Sequence, residues 1–516
     1  MTGIVRYRTV TELPRGGDAV LWGEAMSQVS KSSLGGAKKL TLVDAVAQSV
    51  GFMGPVFSIA FLVPLVVGIT AASGNGAGNA AALSVILAAV GVIGLGWIIA
   101  EYTKKIQAAG SLYTYVSDGL GGRVGAAVGW LYYTGILALS AGILVMIGGT
   151  IHDTLLGEFN FHAIAYWGWD LILFALVAVV MYLGVALSTR LQLVLALISV
   201  TVVLIFSVYV VIKSAGLHHL GSGFSPNSSP THWKGVLFGM LYGVLLFTGF
   251  ESSANLGEET DKPERNIPRA VLFSVVAITV FYVIGSFAQV AGFHFNLSAL
   301  GKANATGPLF VLASPSSQGG FASVAIRRLV ELVVIFDMIA VLIGTAVAAS
   351  RGIFALARDE RLPRQLTTVS KRGTPTGATG LVLLTYVVIG ALALWSTSFA
   401  ITGLPEYVAL FSWMSTYGGF AIAIIYLLIA VGALRGLREH PAKAKLYVAS
   451  AVGFLVTGAA IFGGVYKVTA PTVYAPYTAV IILVVGLIAA SVMPKAPEGI
   501  ADYSPLVETE QGPLKL

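Results

Sequence analysis

Leu245 to Ala270 reads LLFTGFESSANLGEETDKPERNIPRA. It enters as the end of an apolar run long enough for a membrane helix. Gly249-Phe250-Glu251-Ser252-Ser253 then places a glycine, a carboxylate and two hydroxyls at bilayer depth. The chain leaves through a charged loop, Glu258 to Arg269. A carboxylate at the centre of a bilayer costs about 2.5–3.5 kcal/mol on insertion scales. Irregular backbone persists at that depth only where protein buries it or where it lines a wet cavity. The stretch therefore reads as the floor of a binding site, and the rest of the chain is read outward from it.

The surrounding composition fixes the class. Of 516 residues, 56% are hydrophobic and 11% charged, with a mean hydropathy of +0.85. Soluble domains carry about 25% charged residues. Apolar runs of about 20 residues recur along the chain, and the strict alternation of a membrane β-barrel is absent. The expected fold is an all-α polytopic membrane protein embedded in a lipid bilayer. The net charge of +7 does not point to nucleic acid, because the basic residues sit in short loops between apolar runs. With no cysteine, thiol chemistry and iron–sulfur sites are excluded. No metal site and no cofactor is expected. The polar start and the long first apolar run do not read as a cleavable signal peptide.

Twelve spans are expected, near 42–70, 82–103, 124–150, 168–187, 190–212, 233–257, 269–292, 328–352, 378–397, 405–431, 446–466 and 474–493. A short amphipathic element precedes the third, at Gly110-Ser111-Leu112-Tyr113-Thr114-Tyr115. If the N-terminus is cytoplasmic, 25 of the 31 Lys and Arg fall on the inner side, as the positive-inside rule requires. The expected location is thus the plasma membrane, multi-pass, with both termini in the cytoplasm. The segments are a cytoplasmic tail at 1–40, a first repeat at 41–213, a second at 232–431, two further helices at 445–493 and a cytoplasmic tail at 494–516.

The two repeats are read from paired interruptions. The first span carries Gly51-Phe52-Met53-Gly54-Pro55, and the sixth carries Gly249-Phe250-Glu251-Ser252. Five spans per copy invert the second against the first. Breaks at matching places in two halves are the best sequence pointer to a transporter site, although a lone glycine also serves close helix packing. Substrate contacts are therefore expected at Gly51, Phe52, Met53, Gly54, Gly249, Phe250, Glu251 and Ser252.

Three stretches carry a resemblance to a known family. They are Ala109-Gly110-Ser111-Leu112-Tyr113-Thr114-Tyr115 with Gly121-Gly122 and Gly129-Trp130; Gly249-Phe250-Glu251-Ser252 with Gly257-Glu258-Glu259 and Asn266-Ile267-Pro268-Arg269-Ala270; and Ser350-Arg351-Gly352-Ile353-Phe354-Ala355-Leu356-Ala357-Arg358-Asp359 with Leu362-Pro363. Together they resemble the amino acid–polyamine–organocation transporter superfamily, on the leucine-transporter fold. The resemblance covers residues from about 42 to 430. It implies a 5+5 inverted repeat with two added helices, and a secondary permease working by alternating access. An amino acid or related organic amine would bind between spans 1, 3, 6, 8 and 10.

This chain departs from the superfamily in places that bear on the substrate and the coupling ion. Amino acid carriers of the superfamily usually show a Gly-Ser/Ala-Gly-Ile-Gly-like first break, whose amides hold the substrate carboxylate. Here Pro55 brings no N–H, and Phe52 and Met53 are bulky; such a site would use the Met53, Gly54 and Val56 amides. Proton-coupled relatives often carry a lysine where this chain has Ser199. Sodium-coupled relatives use a hydroxyl pair in span 8, where this chain offers Thr345 and Ser350. Asp337 lies 14 positions before Arg351, about 21 Å along a helix. An acidic residue inside a span is a functional hypothesis by default. Glu251, Asp337, Ser199 and Thr345 are the expected coupling residues, for a proton or a sodium ion. Glu251 has a second reading, as a structural acceptor for the unwound backbone. Phe250 and Trp413 are the expected gates; Tyr242 is a further candidate, and Tyr417 would close the outer side together with Trp413. Trp97, Trp130, Tyr132 and Tyr133 read as packing or interface residues.

Other classes fit less well. The histidines fall in loops or at helix ends, and no hydrolase or zinc motif lies within a span. No selectivity-filter repeat suggests a channel. An exchanger, or a nutrient sensor on the same fold, remains open. The sequence does not fix the oligomeric state.

Overall fold

The structure is a computed structural model that describes residues 39–68, 76–214, 216–303, 307–395, 405–466, 468 and 470–493. The expected terminal tails lie outside these, apart from Lys39 and Leu40. Among the described residues the chain is helical, with isolated bridges in place of strands. Ten helices are long and apolar enough to cross a membrane, and two shorter apolar helices complete the series. In chain order they are α1 (Leu42–Val67), α2 (Ala81–Lys105), α3 (Gly122–Phe159), α4 (Tyr166–Leu183), α5 (Val185–Lys213), α6 (Trp233–Leu246), α7 (Pro263–Gly292), α8 (Val324–Arg358), α9 (Thr376–Trp395), α10 (Glu406–Gly436), α11 (Lys443–Val465) and α12 (Tyr474–Val492). Each falls where the hydropathy of the sequence places a span.

Local signals set the ends that matter. Thr41 and Asp44 form a capping box at the start of α1, satisfying amides that the first turn leaves free. Ser323 caps α8. The α1 break is narrower than the sequence suggested. Gly51, Phe52 and Met53 remain helical, and only Gly54 leaves the helix, at φ 53° and ψ 68°. Pro55 then restarts it, a residue suited to the first helical position, and the second half runs on to Val67 through a π-helical stretch, Ser58–Leu62. The α6 break is wider. The α-helix stops at Leu246, turns occupy 247–251, and the chain resumes only as a 3₁₀ helix, Ser252–Leu256. Gly249 sits at φ +107°, a backbone conformation open to glycine.

Packing has a period of five helices. α1 rests on α5 and α7, and α6 rests on α10 and α2. α5 packs on α8 as α10 packs on α3, and α2–α7 and α3–α8 are each their own counterparts. These pairings match one another at a spacing of five helices. The most hydropathic window of α1 is 89% buried, against 22% for α4 and 28% for α12. The broken helices are therefore central, and the peripheral ones present apolar side chains such as Leu171 and Ile488 outward.

Candidate functional site

The two breaks meet. A Cβ on Gly249 would lie 2.0 Å from Cδ1 of Phe52, so only glycine lets the α6 turn seat against that ring. Phe52 also lies against Gly344 of α8. Side chains stitch the broken strands together. The Ser49 hydroxyl donates to the Phe250 carbonyl at 2.8 Å, and the Ser252 hydroxyl donates to the Gln48 carbonyl at 3.1 Å. The Tyr282 hydroxyl, from α7, donates to the Leu246 carbonyl at 2.6 Å and lies 3.4 Å from the Met53 carbonyl. Those two oxygens end the first halves of α6 and α1, where intrahelical partners run out. Tyr282 therefore bridges both breaks.

Asp337 of α8 takes the other side of the α1 break. The Val56 and Phe57 amides donate to its Oδ2 at 2.9 and 2.8 Å. These are orphan amides at the start of the second half-helix, where a negative charge is favoured. The carboxylate-binding position inferred from sequence is thus held by the protein's own carboxylate. Met53 and Gly54 do not share it: the Gly54 amide donates to the Val50 carbonyl. Asp337 is fully buried, and its Oδ1 has no hydrogen-bond partner among the described residues.

Glu251 is fully buried and accepts three bonds. Tyr132 of α3 donates to Oε1 at 2.8 Å, Tyr426 of α10 donates to Oε2 at 2.8 Å, and the Gly249 amide donates to Oε2 at 3.1 Å. The carboxylate ties the α6 turn to α3 and α10. Tyr132, expected as packing, is one of its anchors.

The remaining expected residues lie around this centre. Gly51 gives room to Gln192 of α5, whose Oε1 would be 2.4 Å from an added Cβ. Met53 offers its carbonyl. Ser199 donates to the Val333 carbonyl at 2.7 Å, one turn before Asp337 on α8. Thr345 shares a hydroxyl chain with Ser140 and Tyr386, at 2.6 and 2.5 Å. Phe250 is buried against Tyr426, with ring centroids 5.5 Å apart. Trp413 stacks on Tyr417.

An aromatic layer lies beyond Asp337. Phe57 meets Phe411 of α10 edge-on, with centroids 5.3 Å apart, and also touches Phe61, which meets Phe310. Above it is a cleft of about 230 Å³, whose lining includes Phe61, Phe411, Asp153, Arg327, Glu331 and Tyr407. Phe411 lines this cleft and Trp413 does not.

The opposite end, which carries most of the basic loops, is clasped. Glu259 pairs with Arg351 of α8 at 2.9 Å, both buried. Glu258 takes a two-pronged bond from Arg358 at 2.9 and 3.0 Å and accepts from the Ala109 amide at 2.9 Å. Leu40 exchanges backbone bonds with Glu259 and Asp261. Tyr113, on the short helix Leu112–Leu120, donates to Asp359 at 3.0 Å. Burial, then the Asp359 charge, push its phenol above the usual range and keep it a donor.

Residues 49–493 match the family model described as Amino acid permease. The chain belongs to the amino acid permease family. Curated relatives from this group of carriers include the branched-chain amino acid permease BcaP of Lactococcus lactis subsp. cremoris, 24% identical over 400 residues, covering 73% of this chain and 81% of that one. The gamma-aminobutyric acid permease of Escherichia coli K12 is 26% identical over 383 residues, covering 70% and 73%. Among solved structures, a manganese transporter from Eremococcus coleocola superposes with a TM-score of 0.50 at 12% identity, covering 93% of this chain and 95% of that one. That likeness bears on the fold, which is the leucine-transporter one. The permease is a multi-pass secondary amino acid transporter.

Proposed function

We propose that this permease carries a small amino acid or related amine across the plasma membrane by alternating access about its paired breaks. The contact of Phe52 with Gly249 supports this reading most directly, because it joins the two interruptions in one buried centre. The clasped basic face is then cytoplasmic, with both termini on that side. The cleft above Phe57 and Phe411 is the external approach.

Coupling is assigned to Asp337. Its carboxylate links α8, on which the basic-face clasp sits, to the second half of α1, which bears the Phe57 gate. Neutralising that carboxylate with a proton, or drawing it toward a sodium ion, loosens the link, which is how a gradient would drive the cycle. Glu251 is assigned a bracing role, since its oxygens are already held by Tyr132, Tyr426 and the Gly249 amide.

The test is uptake into proteoliposomes of labelled leucine and γ-aminobutyrate, chosen from what the relatives are named for, under imposed proton or sodium gradients. Gradient-driven accumulation of either is expected. Exchange without net accumulation would favour an antiporter. No movement of either solute or of a wider amino acid and amine panel would contradict the transport reading.

A further inference from the structure

The charge arrangement at the α1 break has a consequence for what is recognised there. A half-helix N-terminus offers N–H donors and a positive dipole end, which suits an anion. Here the anion is already present: Asp337 Oδ2 takes the Val56 and Phe57 amides. A substrate carboxylate would have to displace it. What the centre leaves open is of opposite character. Asp337 Oδ1 is fully buried and without a partner among the described residues. On the other side of the break are the Met53 and Leu246 carbonyls, both facing the Tyr282 hydroxyl. The Ser58 hydroxyl, one residue past Phe57, also turns to the Met53 carbonyl at 3.1 Å. Among the described residues no lysine or arginine is paired with this group: the nearest basic residues of α8, Arg328 and Arg327, pair with Glu158 and Glu331, and Arg351 pairs with Glu259.

The geometry points to a site that reads a monovalent cationic group at Asp337 Oδ1, a substrate ammonium or an alkali cation, rather than a carboxylate at the α1 amides. It rests on the reading of the paired breaks as the transport centre and adds what that centre selects. An ammonium donates three bonds and accepts none, which matches a buried carboxylate oxygen that no donor meets among the described residues. A buried charge held on one oxygen only is incompletely satisfied, and a cation completes it. Two consequences follow. A substrate's carboxylate is not needed for docking at this position, so an amine of the same shape binds. An acid of the same shape, lacking the amine, does not.

The experiment measures thermal stabilisation of the purified full-length permease in choline buffer. The probes are isoamylamine, 4-methylpentanoate, leucine and sodium chloride, each titrated separately. Isoamylamine is expected to stabilise saturably and 4-methylpentanoate not at all. If sodium alone saturates the response and isoamylamine does not, the cation is inorganic; if isoamylamine saturates it, the cation is the ammonium. In either case Asp337→Asn should weaken the response at least tenfold, and it should fold, because the amide oxygen still accepts from Val56 and Phe57. Tyr282→Phe keeps Asp337, releases the Leu246 carbonyl and leaves the Met53 carbonyl to Ser58 alone, so it should strengthen cation binding several-fold. Saturable binding of 4-methylpentanoate in place of the amine overturns the inference. So does an unchanged cation response in Asp337→Asn, or no response to either cation. The readout is equilibrium binding, so a failure of uptake would count against the transport reading and leave this result to stand or fall separately.

Discussion

Glu259 and Arg351 face each other at 2.9 Å with 2% and 3% of their side chains exposed, so the clasp on the basic face contains a desolvated ion pair. Removing one partner of such a pair costs about 3–5 kcal/mol, because the other charge is left uncompensated. Arg358 and Glu258 are more exposed, at 26% and 19%, so water compensates a charge left alone there better than at Glu259. Arg351→Met or Glu259→Gln should therefore lower thermal stability strongly, and Arg358→Met only slightly. The double variant Arg351→Met/Glu259→Gln should lose less than the sum of its singles. Denaturation of all four proteins checks this, and equal losses at the two pairs would contradict it.

The Glu251 brace makes a separate prediction. Tyr132→Phe and Tyr426→Phe each remove one donor to a buried carboxylate, a loss of about 1.5–3 kcal/mol. Glu251→Gln keeps the side-chain shape but exchanges an acceptor for a donor between two phenols. All three should destabilise the protein and slow transport, while the pH profile of uptake keeps its shape. A shifted pH profile in Glu251→Gln would make this carboxylate a proton carrier instead.

Asp337 should separate structure from coupling. Asp337→Ala strips the Val56 and Phe57 amides of their acceptor, leaving two buried donors unmet at about 1–3 kcal/mol each. Asp337→Asn retains an acceptor. The alanine variant is expected to be the less stable. The asparagine variant should fold and lose dependence on the driving gradient. Wild-type gradient dependence in Asp337→Asn would remove it from the coupling path.

At the other end, Phe411→Ala opens the aromatic layer below the cleft. The chain has no cysteine, so a single introduced Ser58→Cys reports solvent access directly. Its labelling by an externally added, membrane-impermeant reagent should quicken several-fold in the Phe411→Ala background. Unchanged labelling would place the gate elsewhere.

Much of this was legible in the sequence, and the illegible parts share a cause. Span positions follow hydropathy, which is local. Both breaks carried glycines, yet spacing could not tell their jobs apart. Gly54 turns the chain just before Pro55, whereas Gly51 stays helical and makes room for Gln192. Asp337 stood out because charge is costly in a span, but its partners lie 281 and 280 positions away. Tyr282 and Tyr426 gave no signal at all. In an apolar run a phenol reads like any packing ring, and what its hydroxyl meets is decided by helices distant in sequence.

The account depends on the turn at Gly249 lying against Phe52. The most direct measurement is counterflow of a transported amino acid in proteoliposomes holding equal amounts of folded wild-type and Gly249→Ala permease. An added methyl would fall 2.0 Å from Cδ1 of Phe52, on a backbone at φ +107°. The account predicts at least a tenfold loss of exchange in the variant; exchange at the wild-type rate would contradict it.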